Sequence, residues 1–336
     1  MAALLQAHLR HARHYLALLR RAEELFEHGG AAVPQALALV DAEWLNLESA
    51  YDWLAAQADK DEAAAQMCGD LPNAGPTILH LRLRPDEIIR RAELALRAAR
   101  RFGRKVSEGA ALVSLGRAYT NQGQTDRAIQ YLEEALALTR TQPHPKNVCG
   151  VLLNLGIAHY AASEFTRDEA AAREYLQRAT SCFAEAKEIA HALNDRKREA
   201  LLLGSLGNLY QRQNQLDWAD KAYREQLAIA QERGDRRNES NALLGLANVL
   251  RRIQPEAAAA LYQQQLGIAR ELGDLHAEAA ALFNRGLLLY DLGQEEEAIA
   301  LARAALPLFE RVSPKDAVKV RRALAEWQSA QDTLNI

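Results

Sequence analysis

From about Ala3 to Trp327 apolar residues recur three and four positions apart, with polar and charged residues between them, and β-branched runs are absent. That period specifies amphipathic helices, and the dominance of alanine and leucine supports it. The clearest unit extends from Glu199 to Gly234. Its first helix carries Leu203, Leu206 and Tyr210 on one stripe, small Gly207 admits a neighbouring helix, and Gln213-Asn214-Gln215 makes the turn. The second helix carries Ala219, Ala222, Tyr223, Leu227 and Ile229. Gly234 then supplies a left-handed C-terminal cap, and Asp235 opens the next helix. Asn194-Asp195 and Gly273-Asp274 are equivalent joints, Tyr262 is equivalent to Tyr223, and Leu266 to Leu227. The small residues Gly116, Gly156, Gly207, Ala247 and Gly286 follow one another at steps of 40, 51, 40 and 39. Self-similarity at this period means an all-α solenoid of helix pairs, each repeat burying its apolar face on the next.

One step carries eleven extra residues, near 161–181. Eleven residues are about three helical turns, so the insertion is expected to lengthen both helices of its repeat, with Ala170, Tyr175, Leu176 and Ala179 continuing the inward stripe of Phe183 and Ile189.

The ends depart from the pattern. Residues 1–60 predict a helical arm: one helix from about Ala3 to His28, stopped by Gly29-Gly30, and another from Pro34 in its first turn to about Gln57. Residues 61–105 read as a degenerate first repeat, in which Gly69, Pro72, Gly75 and Pro76 are expected to break the first helix into irregular structure. Its second helix, Pro85 to Arg101, is basic through Arg82, Arg84, Arg90, Arg91, Arg97, Arg100, Arg101, Arg104 and Lys105; it is either a solvated face or a dock for an acidic domain. Regular repeats fill 106–312. Residues 313–336 form a capping helix with Ala317, Val320, Leu324 and Trp327 turned inward.

Composition narrows the function. A formal charge of −3 disfavours nucleic acid as a partner. No segment approaches a membrane span, no signal-peptide pattern opens the chain, and Cys68, Cys149 and Cys182 are odd in number and far apart, which together predict a cytoplasmic protein with structural cysteines and no membrane partner.

The residues Leu115-Gly116…Tyr119 with Ala128 and Leu132, and Leu206-Gly207…Tyr210 with Ala219 and Tyr223, resemble the tetratricopeptide repeat. Later units are looser, with Leu250 in place of the tyrosine and Arg285 before Gly286. The forty-residue period with a Gly-Asp joint is similar to the long repeats of kinesin light chains, Leu-Gly-Asn-repeat adaptors and bacterial signalling ATPases. The resemblance covers about 61–312 and implies a right-handed superhelix of antiparallel helix pairs. In the arm, Glu43, Asn46, Leu47, Ala50, Asp52 and Trp53, with Trp44 as a departure, resemble the stretch that joins the NB-ARC-type ATPase of bacterial STAND proteins to its repeat sensor. This resemblance implies a sensor or regulatory arm, with an ATPase domain of the same system as a possible partner; a free-standing scaffold or homo-oligomer is the alternative.

Chemical signals are sparse. Gly103-Arg104-Lys105-Val106-Ser107 lacks the frame of a phosphate-binding loop. His8, His11 and His14 are three apart on one helix, yet no carboxylate or cysteine partner is evident, so no metal is expected. Carboxylate runs such as Glu295-Glu296-Glu297 read as solvated faces, no catalytic set can be composed, and neither an enzyme activity nor a cofactor is expected. The candidate site comes from helix geometry. With Leu203, Leu206 and Tyr210 buried, Asn208, Gln211 and Arg212 occupy another face, and the next repeat places Asn248, Arg251 and Arg252 alike. Arg117, Asn121, Tyr160 and Tyr290 take related positions in other repeats. The resemblance puts first helices on the inner surface of the array, where amides, guanidinia and tyrosines suit an extended acidic peptide or protein segment.

Overall fold

A computed structural model describes residues 2–28, 32–142 and 144–334; the stop at Gly29-Gly30 lies outside them. Among the described residues there are sixteen helices and no strand, in two compact units, Met1–Asn194 and Asp195–Ile336.

The first unit holds α1 (Ala2–His28), α2 (Ala32–Gln57), α3 (Glu62–Ala74), α4 (Pro76–Arg82), α5 (Pro85–Arg101), α6 (Lys105–Asn121), α7 (Thr125–Arg140), α8 (Pro145–Phe165) and α9 (Glu169–Ala192). One core, with Leu19, Leu54, Cys68, Leu71 and Ile78 fully buried, joins α1 to α4; a second joins α5 to α9 through Leu112, Leu115, Leu132 and Ala158. Glu23 of α1 accepts from the Thr77 and Ile78 amides at 3.0 and 3.2 Å, satisfying the exposed N–H groups at the start of α4.

The expected break at Gly69 and Pro72 does not occur. The helix runs through both to Ala74, and the chain turns only at Gly75. Met67, Cys68, Leu71 and Ala74 are buried, and their burial outweighs a glycine cost of about 1 kcal/mol and a proline near the helix end. The basic helix is stapled rather than bare. Arg82 holds both oxygens of Asp41, and buried Arg91 reaches Glu48 at 2.7 Å and Glu87 at 3.0 Å while lying 4.0 Å over the Tyr51 ring. Arg100 pairs with Glu108 and Glu134, Arg104 with Glu62 and Lys105 with Glu108, so much of its charge is neutralised within the protein.

The eleven-residue insertion does lengthen its helices: α8 has 21 residues and α9 has 24, against 17 and 16 in α6 and α7. Leu176, Ala179 and Phe183 are buried as expected, but Ala170 is exposed, because it lies in the first turn of α9. The expectation that no segment approaches a membrane span needs correcting too. Among the described helices α8 is long and apolar enough to cross a bilayer, yet half of that stretch is buried against the protein, as befits a core helix. The thiols of Cys68 and Cys182 are pushed up by burial to about 12 and about 11, which keeps them protonated and inert.

His159 on α8 is 3% exposed and its Nδ1 has no hydrogen-bond partner. Burial, reinforced by Arg178 and opposed by Glu174, lowers its pKa from 6.5 to about 4. Protons therefore bind the unfolded chain more readily, so this contribution is fully present above about pH 6.5 and is lost as pH falls towards 4. Thermal melts between pH 7.5 and 4.5 are expected to lose about 2–3 kcal/mol to this residue. His159→Leu should flatten that slope; an unchanged slope would contradict the assignment.

The second unit holds α10 (Arg196–Arg212), α11 (Leu216–Arg233), α12 (Arg236–Leu250), α13 (Pro255–Leu272), α14 (Leu275–Asp291), α15 (Glu295–Val312) and α16 (Pro314–Leu334). Consecutive helices pack as antiparallel pairs, and α12 lies beside both α10 and α14. Gly234 and Gly273 adopt φ of 66° and 63°, the left-handed conformation that ends α11 and α13. Asp195, Asp235 and Asp274 each accept from an amide three residues on, at 3.2, 3.1 and 3.0 Å. The unit closes on α16, whose Ala317, Val320, Leu324 and Trp327 are buried against α14 and α15.

Candidate functional site

The second unit builds its polar face around two buried tyrosines. Tyr223 of α11 is 1% exposed, and its ring fills the space between α10 and α12. A Cβ at Gly207 or Gly245 would stand only 2.5 or 2.3 Å from that ring, so both helices need glycine where they meet it. The hydroxyl emerges at the face and donates to Asn208 Oδ1 at 2.6 Å. One repeat later, buried Tyr262 donates to Asn248 Oδ1 at 2.7 Å. With the amide oxygen engaged by the tyrosine, the Nδ2 group is left as donor; Gln211 Oε1 is a second acceptor for Tyr223, at 3.4 Å.

Asn208 and Asn248 line one recess of about 360 Å³ with Ser205, Asn241 and Gln226. Gln226 is 2% exposed and its Oε1 has no hydrogen-bond partner, so the recess offers amide donors beside a buried acceptor. Asn248 also lines a second recess of about 400 Å³ with Gln211, Asn214, Arg251, Arg252 and Asn284. Arg251 sits 3.3 Å from Asp291, while Arg252 is exposed. A run of amides leads into a patch of guanidinia, which is chemistry for main-chain carbonyls and carboxylates.

The ten residues expected to form the site are thus divided. Asn208, Gln211, Asn248, Arg251 and Arg252 come together on these two recesses. Arg212 is exposed at the end of α10 and lines neither. Tyr290 is turned to another use: its ring stacks on Trp327 of α16 with centroids 4.6 Å apart, because the capping helix needs an aromatic seat. Arg117, Asn121 and Tyr160 belong to the first unit. Arg117 is half-buried and burial holds its pKa below the usual range, Asn121 lines a pocket of about 100 Å³ with His80 and Gln122, and Tyr160 is half-buried on α8. Sequence reasoning missed Gln226, Asn241 and Asn284. Only Gln226 left a signal, since Gln265 recurs at its equivalent position, buried and likewise with an unpaired oxygen. The histidines of α1 pack on aromatic rings, His8 on Trp53 and His11 and His14 on Tyr15.

Tetratricopeptide-repeat families match residues 111–146, 202–237 and 279–308, so these segments are tetratricopeptide repeats. Comparison with curated proteins finds no match. Among solved structures, the chain is similar in fold to a signal transduction ATPase with numerous domains and a tetratricopeptide-repeat sensor from Pyrococcus horikoshii, at 15% identity and a TM-score of 0.62, over 97% of this chain and 49% of that one. The chain therefore spans about half of that ATPase. BtubC from P. vanneervenii aligns at 15% identity and a TM-score of 0.56, over 69% of this chain and 93% of its own. Aspartyl phosphate phosphatase F from Bacillus subtilis aligns at 10% identity and 0.55, over 96% and 94%. At such identities these likenesses establish the fold.

Proposed function

We propose, for a chain that carries tetratricopeptide repeats, that its second unit is a non-enzymatic binding module holding an extended acidic peptide or protein segment across α10, α12 and α14. The observation that carries this reading is the pair of tyrosine hydroxyls that fix the Asn208 and Asn248 amides as donors, next to the arginines of the second recess. Donors held in place bind main-chain carbonyls without the entropic cost of ordering them, and guanidinia select carboxylates. The chain acts in the cytoplasm, without cofactor, as the ligand-sensing or regulatory arm of a signalling ATPase of the STAND type. The arm motif around Glu43 to Trp53 and the fold match along the Pyrococcus horikoshii protein support that placement. A free-standing scaffold is the second reading, favoured by the alignment along nearly all of Aspartyl phosphate phosphatase F.

The test is the double variant Asn208→Asp, Asn248→Asp. Aspartate still accepts from Tyr223 and Tyr262, so the fold is kept while both Nδ2 donors are lost. Acidic dodecapeptides selected from a random phage library on the full chain should bind the variant at least tenfold more weakly by fluorescence anisotropy. Undiminished affinity would place the main-chain contacts elsewhere.

A further inference from the structure

Asn284 of α14 lines the second recess and also a third, of about 230 Å³, whose character is different. Its walls are Ala280 and Phe283 of α14, Phe309 of α15, and Asp316 and Lys319 of α16, with His276 edge-on to Phe309 at 5.6 Å. The Asp316 carboxylate is already engaged: it accepts from the Ser313 hydroxyl at 2.6 Å and the Lys319 ammonium at 2.8 Å. The wall that α16 supplies is held firmly. Trp327 stacks on Tyr290 at 4.6 Å and on Phe283 at 6.4 Å, so the capping helix is anchored to the helix that carries the pocket floor.

We infer that α16 is more than a cap: with α14 and α15 it forms a specificity pocket for one bulky apolar side chain of the same acidic segment. This inference rests on the proposed reading of the adjoining recess. The occupant follows from charge and continuity. Arg251 and Arg252 hold carboxylates in the second recess, and a segment leaving that recess past Asn284 enters a space floored by Ala280, Phe283 and Phe309, whose polar groups at the rim are already occupied with one another: Asp316 pairs with Lys319 and lies 3.6 Å from His276. Apolar surface there is best covered by an apolar side chain. The segment is therefore read in two chemistries at fixed spacing, acidic first and apolar beyond it.

The test pans a random dodecapeptide phage library on the full-length chain and on Ala280→Trp, which fills the pocket. Peptides from the unmodified chain should carry acidic residues and one bulky apolar residue at constant spacing; those from Ala280→Trp should keep the acids and lose the constant apolar position. A synthetic consensus peptide then closes a double-mutant cycle. Replacing its apolar residue by alanine should weaken binding at least tenfold on the unmodified chain and less than twofold on Ala280→Trp. Ala280→Met serves the same purpose if circular dichroism shows the tryptophan variant misfolded. Acidic peptides without a constant apolar position, or an equal loss on both proteins, would overturn the pocket while leaving the acidic groove standing. Peptides without acidic residues would overturn both.

Discussion

Tyr223→Ala is expected to destabilise the second unit by about 3–5 kcal/mol, the loss typical of removing a buried aromatic ring. The ring is 1% exposed and lies against Gly207 on α10 and Gly245 on α12, two positions that have no side chain with which to refill the space. Backbones brought so close by glycine cannot collapse further, so the cavity persists and the upper part of that range applies. A thermal transition lower by about 10 °C or more should follow. Tyr223→Phe keeps the ring and loses only the hydroxyl, and half-exposed surroundings let water replace it at Asn208, so its cost should stay near 0.5–1.5 kcal/mol. A Tyr223→Ala variant that melts within 2–3 °C of the parent, roughly a 1 kcal/mol effect, would show that the α10–α12 contact does not depend on the ring.

The helices and joints of this chain were legible because their signals are local. Gly234 and Gly273 occupy the left-handed backbone positions their place in the repeat requires, and Asn194, at φ 51°, does so without being glycine. Pro72 misled for the opposite reason. Its local preference against helix was overruled by the burial of Cys68 and Leu71 against α1 and α2, contacts made with residues far away in sequence.

Half of the candidate site was legible for the same reason. Positions three and four apart on a helix share a face, so Asn208 with Gln211, and Asn248 with Arg251 and Arg252, could be grouped from spacing, although α12 ends at Leu250 and both arginines reach the recess from the turn that follows it. What spacing does not contain is the meeting of different helices. Gln226 enters the recess from α11, Asn284 from α14, and Tyr290 is claimed by Trp327 from a helix some forty residues on. The tyrosine hydroxyls that orient the two asparagines belong to this class as well, since the repeat pattern accounts for a buried ring but not for where its oxygen emerges.

The most direct measurement of the central claim is charge reversal in the second recess. Arg251→Glu, Arg252→Glu should weaken a fluorescein-labelled acidic dodecapeptide, selected on the parent chain, by at least about 100-fold. Two charge-assisted contacts of roughly 1.5–3 kcal/mol each are removed, and carboxylates then face carboxylates. The same double variant should melt close to the parent, because Arg252 is exposed and the Arg251 pair with Asp291 is a partly solvated one. Raising salt from 50 to 300 mM should weaken the parent complex, where it screens attraction, and should not weaken the residual binding of the variant, where it screens repulsion. A variant that folds, melts normally and still binds the acidic peptide at parental affinity would contradict the account.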